Sequence, residues 1–355
     1  MSQASKTGHI VALDCMGGDL GPSEAIAAAA LAIKEGVISP NDTLVLVGHE
    51  DNLRMLAMEH RGLKSPRVIF KHANSVVGSD DAPMTVLKSK RDSSMMVALE
   101  MLKAGEVEAV ISTGNTKALV AAGTIKLRTM EGAERPSLAA IMPRKEGHFI
   151  LLDVGANPEA TPEQLVHNAI LGSIYAQCSL GVSNPRVGLL TVGTEEGKGG
   201  VRINRTHQLL KALGSQINYV GPIEGFDVWG DSCDVVVTDG FTGNVILKTL
   251  EGLIYMLRDL IGSKVKRNPV YLAGGIAMFP LLRDLKGKLK PERYGGAPLL
   301  GLNGLVMKAH GSSNRQGIVS AIRLGLEALE HGAGKRMQDA LVATNTIISQ
   351  TPPEN

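Results

Sequence analysis

Five short stretches combine glycine with the carboxylates, amides, hydroxyls and lysine that hold and polarise small anions. They are Asp14-Cys-Met-Gly-Gly-Asp19, Ser112-Thr-Gly-Asn-Thr116, Asp153-Val-Gly-Ala-Asn157, Gly193-Thr-Glu-Glu-Gly-Lys198-Gly-Gly and Asp239-Gly-Phe-Thr-Gly-Asn244. Each alone reads as a turn with a helix cap; together they exceed what turn chemistry requires. Glycine lets backbone approach a ligand closely, and the first N–H groups of a helix favour an anion. Gly17, Gly18, Asn115, Thr116, Asn157, Gly240, Thr242 and Gly243 are therefore the expected phosphate-binding positions.

Asp239 to Asn244 joins a strand pattern to a helix pattern, with Thr242 or Asn244 near the cap and Gly243 removing a side chain there. Such a start presents backbone donors and the positive end of the helix dipole. Lys198, flanked by glycines, can bring a point charge onto a phosphate or a developing oxyanion, although a solvated loop charge is the plainer reading. Asp14, Asp19, Asp153 and Asp239 would repel an anion if aimed at it, so we expect them to bond loop N–H groups and fix the glycine turns. His310, in KAHGSSN, reads equally as a cation ending a helix before a glycine cap and as a site residue.

Other chemistries lose ground. The chain has no nucleotide P-loop, no dinucleotide glycine spacing, no GxSxG and no HExxH, and its 9 histidines are scattered without metal-ligand spacing. Its 3 cysteines, Cys15, Cys178 and Cys233, are far apart and read as small buried hydrophobes of a reducing compartment. We expect no metal and no cofactor. A net charge of +2 without an aromatic-basic pattern argues against nucleic acid. No secretory leader pattern opens the chain, and Val270 to Leu282, broken by Gly274, Gly275 and Pro280, is short of the roughly 20 residues of a spanning helix. The expectation is a cytoplasmic protein, at most peripheral on the inner face of the membrane.

Strand patterns (HIVALD, TLVLVG, RVIFKH, VEAVIS, FILLDV, RVGLLTV, INYVG, CDVVVTD) alternate with helical ones over 23–35, 52–60, 93–104, 116–127, 162–180, 201–213 and 243–261. That alternation predicts a mostly parallel sheet with helices on both faces and ligands beyond the strands' carboxyl ends. SLAAIMPRKEGHFILLDV is the exception, with two strands about a polar turn forming an antiparallel hairpin. After Ile261 the pattern becomes Gly, Pro and basic residues, then a helix over 314–330. We expect one catalytic unit, 8–345, of two lobes sharing a sheet, and a frayed tail at 346–355.

Read in order from Ile10 to Glu330, the blocks Val11-Ala-Leu-Asp-Cys-Met-Gly-Gly-Asp-Leu-Gly-Pro22, Ser112 to Thr116, Glu134-Arg-Pro136, Leu152 to Asn157, Asn184-Pro-Arg-Val187, Gly193 to Glu196 with Lys198-Gly199, Thr238 to Val245 with Lys248, and Lys308-Ala-His-Gly311 closely resemble the bacterial phosphate acyltransferases of phospholipid synthesis. The resemblance implies a three-layer α/β/α fold of the isocitrate/isopropylmalate dehydrogenase-like class, a homodimer, and transfer of a fatty acyl group from acyl carrier protein to inorganic phosphate. The acyl phosphate would feed a downstream glycerol-3-phosphate acyltransferase. The family's functional lysine and asparagine fall on Lys198 and Asn244. Lys117, and Pro158 to Ala160, depart from the family's usual residues and should alter the pocket near Asn115.

Phosphate is already an anionic nucleophile, so attack on a thioester needs positioning and oxyanion stabilisation more than a strong base. Two alternatives stand beside this reading: a phosphate acetyl- or butyryltransferase using acyl-CoA, and a non-enzymatic scaffold at the membrane surface. Leu253, Met256, Leu257, Leu260, Ile261 and Val265 share one helical face near Lys264, Lys266 and Arg267, with Lys286, Lys288 and Lys290 beyond. That face either packs on the core or a dimer partner, or, over 251–290, docks acidic acyl carrier protein or an anionic membrane.

Overall fold

Alternate residues of the central strands serve two separate cores. Val11 and Leu13 pack into one while Ala12 packs into the other, and Leu44 and Leu46 divide from Val45 and Val47 in the same way. A strand buried on both faces needs helices above and below it, which explains the near-continuous apolar runs. The computed structural model describes residues 8–195, 198–267, 269–281, 283 and 295–352. Glu196 and Gly197 of the lysine loop, and Lys286, Lys288 and Lys290 of the basic run, lie outside the described residues.

The strands are β1 Ile10–Asp14, β2 Thr43–Gly48, β3 Val68–His72, β4 Ala109–Ser112, β5 Ser137–Pro143, β6 His148–Leu152, β7 Arg186–Thr191, β8 Asn218–Glu224, β9 Val235–Val237, β10 Gly296–Leu300 and β11 Leu305–Ala309. The helices are α1 Gly21–Lys34, α2 Glu50–Ala57, α3 Pro83–Ser89, α4 Ser94–Lys103, α5 Thr116–Leu127, α6 Pro162–Leu180, α7 Gly200–Ala212, α8 Gly240–Arg267, α9 Pro269–Ala277, α10 Arg315–Glu330 and α11 Ala333–Gln350. All strands join one 11-stranded sheet in the order β3-β2-β1-β4-β11-β10-β5-β6-β9-β7-β8.

The sheet has two internally parallel blocks. β3, β2, β1, β4 and β11 run together, as do β6, β9, β7 and β8. Between them the junctions β11–β10, β10–β5 and β5–β6 are all antiparallel. An odd number of reversals makes the two blocks run in opposite directions. Their carboxyl ends, and the glycine-rich loops that follow them, therefore face opposite edges of the sheet.

The β5–β6 hairpin forms where expected, with Pro143 opposite His148. The β10–β11 hairpin was not expected. Pro298 and the surrounding glycines mask the strands, although the Asn303-Gly304 pair between apolar runs is a hairpin signal. His310 consequently follows a strand and not a helix, so its reading as a helix-terminal cation fails. α11 runs to Gln350, and Arg205 donates to the carbonyls of Thr351 and Pro352, so ordered backbone extends past the expected start of the tail.

Leu253, Met256, Leu257, Leu260 and Ile261 on α8 are exposed, as are Val270, Tyr271 and Ile276 on α9. This face does not enter the chain's own core. Among the described residues no helix is long and apolar enough to cross a membrane.

Candidate functional site

At the edge where β6, β9 and β7 end, two aspartates organise the loops. Asp153 is fully buried, and its Oδ1 accepts from the N–H groups of Leu138, Gly155 and Ala156 at 2.9, 3.0 and 3.0 Å. Its Oδ2 accepts from Asn157 N–H at 2.6 Å. Burial pushes this carboxyl above the ordinary aspartate value, and the same N–H groups oppose that rise. Asp239 caps α8: Oδ1 accepts from Thr242 N–H at 2.7 Å and the carbonyl from Gly243 N–H at 3.0 Å. Its Oδ2 receives the Arg202 guanidinium at 2.5 Å.

These bonds change the reading of the helix start. Gly240 N–H donates to Asn157 O at 2.9 Å, so the N–H groups of Gly240, Thr242 and Gly243 all have acceptors within the chain. These three N–H groups are thereby engaged within the chain, which leaves the expected backbone cradle with fewer open donors in this conformation. The glycines serve close packing instead: a Cβ on Gly243 would lie 1.9 Å from Asp153 O, and one on Gly240 2.8 Å from Asn157 O. Asn157 is likewise a tie, its amide donating to Gln164 Oε1 at 2.7 Å.

Asn244 stays open. Its side chain lies over Gly155, where a Cβ would sit 3.7 Å from Asn244 Cγ, and among the described residues its carboxamide has no hydrogen-bond partner. Lys198 is exposed and pairs with Glu195 at 3.0 Å within its own loop. That loop leaves β7, the neighbour of β9, and Arg202 from the following helix holds Asp239. Their loops follow neighbouring strands at one edge, and no hydrogen bond joins Lys198 to Asn244 among the described residues.

At the opposite edge Asp14 is buried at the end of β1. It accepts from Ser112 Oγ at 2.7 Å and from Met16 N–H at 3.2 Å. Asp19 behaves differently: its N–H donates to Gly311 O at 2.9 Å, while its carboxylate lies against Gly311, where a Cβ would be 2.9 Å away. Gly17 and Gly18 pack onto the β4 loop, with Cβ positions 2.8 Å from Gly114 N and Thr113 Oγ1 respectively. Asn115 caps α5 by accepting from Ala118 N–H at 3.1 Å, and its amide donates to Ser79 O and Asp81 O at 2.8 and 3.1 Å. Thr116 opens α5 half-buried, and Lys117 beside it is exposed. The turn glycines and Asn115 thus lock loop to loop.

Two lysines outside the expected set complete this edge. Lys308, 7% exposed, donates to Thr113 O at 3.4 Å and to Ala309 O. Burial lowers its pKa to about 8, against the pull of Asp14 and Asp19. Its signal in the sequence was a lone charge in the apolar run LVMKA, which means something only once that run is read as a strand. Lys248 lies one helical turn beyond Asn244 on α8, pairs with Glu251 at 2.8 Å, and stands 3.5 Å from His310 Nε2. α8 begins at one edge of the sheet and delivers Lys248 to the other.

The arrangement combines open amide and ammonium donors with loops locked by buried carboxylates, which suits binding and polarising an anion. Comparison with known proteins agrees in kind. The family model described as fatty acid synthesis protein matches residues 10–336. A phosphate acyltransferase of Desulfitobacterium hafniense is 41% identical over 323 residues, covering 91% of this chain and 94% of that protein. One from Aeromonas salmonicida is 40% identical over 332 residues, covering 93% and 96%. Among solved structures, a phosphotransacetylase from Streptococcus pyogenes superposes with a TM-score of 0.59 at 16% identity, covering 92% of this chain and 95% of that one. A branched-chain phosphotransacylase from Enterococcus faecalis gives 0.56 at 15%, covering 91% and 99%. These two likenesses establish an α/β fold with a mostly parallel sheet and some antiparallel strands.

Proposed function

The chain belongs to the fatty acid synthesis protein family, and from that premise we propose that it is an acyltransferase moving a fatty acyl group from acyl carrier protein to inorganic phosphate. One phosphate oxygen forms the new C–O bond to the thioester carbon. The C–S bond breaks with its electron pair going to sulfur, and the proton shed by the phosphate ends on that sulfur as a thiol. The products are an acyl phosphate and free carrier protein, the former suited to a glycerol-3-phosphate acyltransferase of phospholipid synthesis.

The observation that carries this reading is the open carboxamide of Asn244 at the start of α8, with Lys198 on the loop of the neighbouring strand and Lys248 one turn along. Asn244 is suited to orient the thioester oxygen or the phosphate, and Lys198, released from Glu195, to neutralise developing charge. We assign the architecture to the isocitrate/isopropylmalate dehydrogenase-like class on the strength of its single mixed sheet with oppositely directed halves. The protein then works in the cytoplasm, peripheral to the inner membrane face. The exposed side of α8 and α9 is available to a second copy of the chain, to the carrier protein or to anionic lipid. Sedimentation with anionic vesicles, before and after Leu257→Glu, tests the lipid arm: failure of the unmutated protein to bind removes it.

The decisive assay is phosphate-dependent release of carrier-protein thiol from acyl carrier protein, run beside acyl-CoA. Faster turnover of acyl-CoA would favour a phosphate acetyl- or butyryltransferase, and turnover of neither would end the enzymatic reading. Asn244→Ala and Lys198→Ala should each lower the rate about 100-fold, the scale of losing one oxyanion contact.

A further inference from the structure

The N–H groups of Gly240, Thr242 and Gly243 are engaged within the chain, and a second group of donors lies one turn along α8. The facing pair Lys248 and His310 has the right chemistry to seat the phosphate. Ser312 N–H donates to His310 Nδ1 at 3.2 Å, so Nδ1 acts as acceptor and the neutral ring carries its proton on Nε2; the Ser312 hydroxyl, 2.9 Å from Nδ1, is free to turn either way. Nε2 in turn faces the Lys248 ammonium at 3.5 Å. An ammonium has only donors, so two donors point at one another with no acceptor between them. A protonated ring keeps a proton on Nε2 as well, so the conflict does not depend on charge state. An anionic oxygen placed between them satisfies both.

Lys308 strengthens the case from behind. Its ammonium has two carbonyl partners, Thr113 O and Ala309 O, for three N–H bonds, and it is almost fully buried. The charged groups around the cluster are Asp14 and Asp19 near Lys308, and Glu251 beside Lys248. Asp14 is already engaged by Ser112 Oγ and Met16 N–H. Burial and the two lysines hold His310 below the ordinary histidine value, while Lys308 sits at about 8. A dianion entering the cluster would offset the mutual repulsion of these cations.

We infer that Lys248 and His310 Nε2–H, backed by the buried Lys308 ammonium, seat the nucleophilic phosphate one turn along α8 from Asn244, leaving the Asn244 carboxamide for the thioester carbonyl. The assignment rests on the phosphate acyltransferase reading for its chemistry. It goes beyond that reading in separating two subsites: a cationic one at the β11 edge for the phosphate and an amide one at the β6 edge for the carbonyl. Residues four apart on a helix lie about 5–6 Å from one another, close enough for both subsites to serve one reacting carbon.

The test uses the full-length protein. Lys248→Gln, at an exposed position, should raise KM for phosphate about 10- to 100-fold, as expected for losing a charge-assisted hydrogen bond, and change KM for the acyl donor less than about twofold. His310→Gln should move the same parameter in the same direction, and Lys248→Arg should restore much of the loss. Independently of turnover, 31P NMR titration of inorganic phosphate should show binding to the wild type that weakens in Lys248→Gln. An active wild type whose Lys248→Gln variant keeps its phosphate KM and its NMR affinity overturns the subsite assignment while leaving the acyltransferase reading intact. A wild type inactive with both donors that still binds phosphate through Lys248 does the reverse: it supports the subsite and removes the proposed reaction.

Discussion

Each block of the sheet places a buried aspartate at the end of a central strand, yet the two are compensated by different means. Asp153 is surrounded by four N–H groups and, among the described residues, pairs with no cation, so backbone donors hold its loop. Asp14 has one N–H and one hydroxyl, with the Lys308 ammonium close by, so its loop carries a buried cation as part of its support. The first arrangement produces a rigid platform on which Asn244 is displayed. The second leaves positive charge at the mouth of the opposite loops, where Lys248 and His310 meet. On the proposed reading, a ligand bridging the edges meets amide geometry on one side and charge on the other.

Substitutions that load each edge should separate them. The largest effect is expected at Gly243→Ala, because the new Cβ would fall 1.9 Å from the Asp153 carbonyl oxygen, which cannot turn away. Loss of about 3 kcal/mol or more in denaturant unfolding is expected. Gly18→Ala meets Thr113 Oγ1, the end of a rotatable side chain, at 2.8 Å, with Thr113 Cβ at 3.3 Å and Gly311 O at 3.5 Å, and should cost about 1 kcal/mol. Equal costs would mean that the two edges are equally rigid.

pH distinguishes the edges next. Lys308 has a folded value of about 8 against an ordinary 10.5. Below about pH 8 the lysine is charged in both states, and the burial penalty is present in full. Between the two values the unfolded chain binds more protons, so stability contributed at this residue rises with pH. The wild type should therefore gain up to about 3 kcal/mol relative to Lys308→Met from pH 8 to 10.5. A constant difference across that range would contradict a strained ammonium.

Asp153→Asn replaces one accepting oxygen with a donor facing N–H groups, and should lose about 2 kcal/mol at pH 7. Lys198→Ala should sit at the bottom of the series. Its ion pair with Glu195 is exposed, and such pairs contribute little, so the unfolding midpoint should not change measurably while turnover falls.

Much of this protein could be read from local sequence. The bounds of α5 and α6 coincide with those expected, because Asn115 and the Thr161 capping box mark their starts and apolar periodicity carries them on. The acidic glycine stretches do follow strands, although Gly240 to Asn244 already forms the first turn of α8, three residues ahead of the expected start at 243. The roles within them were less legible: Gly240, Thr242 and Gly243 read as anion donors, whereas Asp239 and Asn157 occupy those N–H groups. Lys308 and Lys248 stand in the family blocks but carry no role in the local pattern: the run around Lys308 resembles helix, and His310 lies 62 residues from Lys248.

Alternation and caps are properties of neighbouring residues, so the sequence determined where most strands and helices occur, β10 and β11 apart, and which family the chain joins. The direction of one sheet block relative to the other, and hence which loops can meet, was decided by the antiparallel pairing of β10 with β5, a contact between distant segments that local pattern does not encode. Only that folding sends α8 from one edge of the sheet to the other and brings Lys248 to His310, because the path of a rigid helix is set by the strands it packs on and not by its own residues.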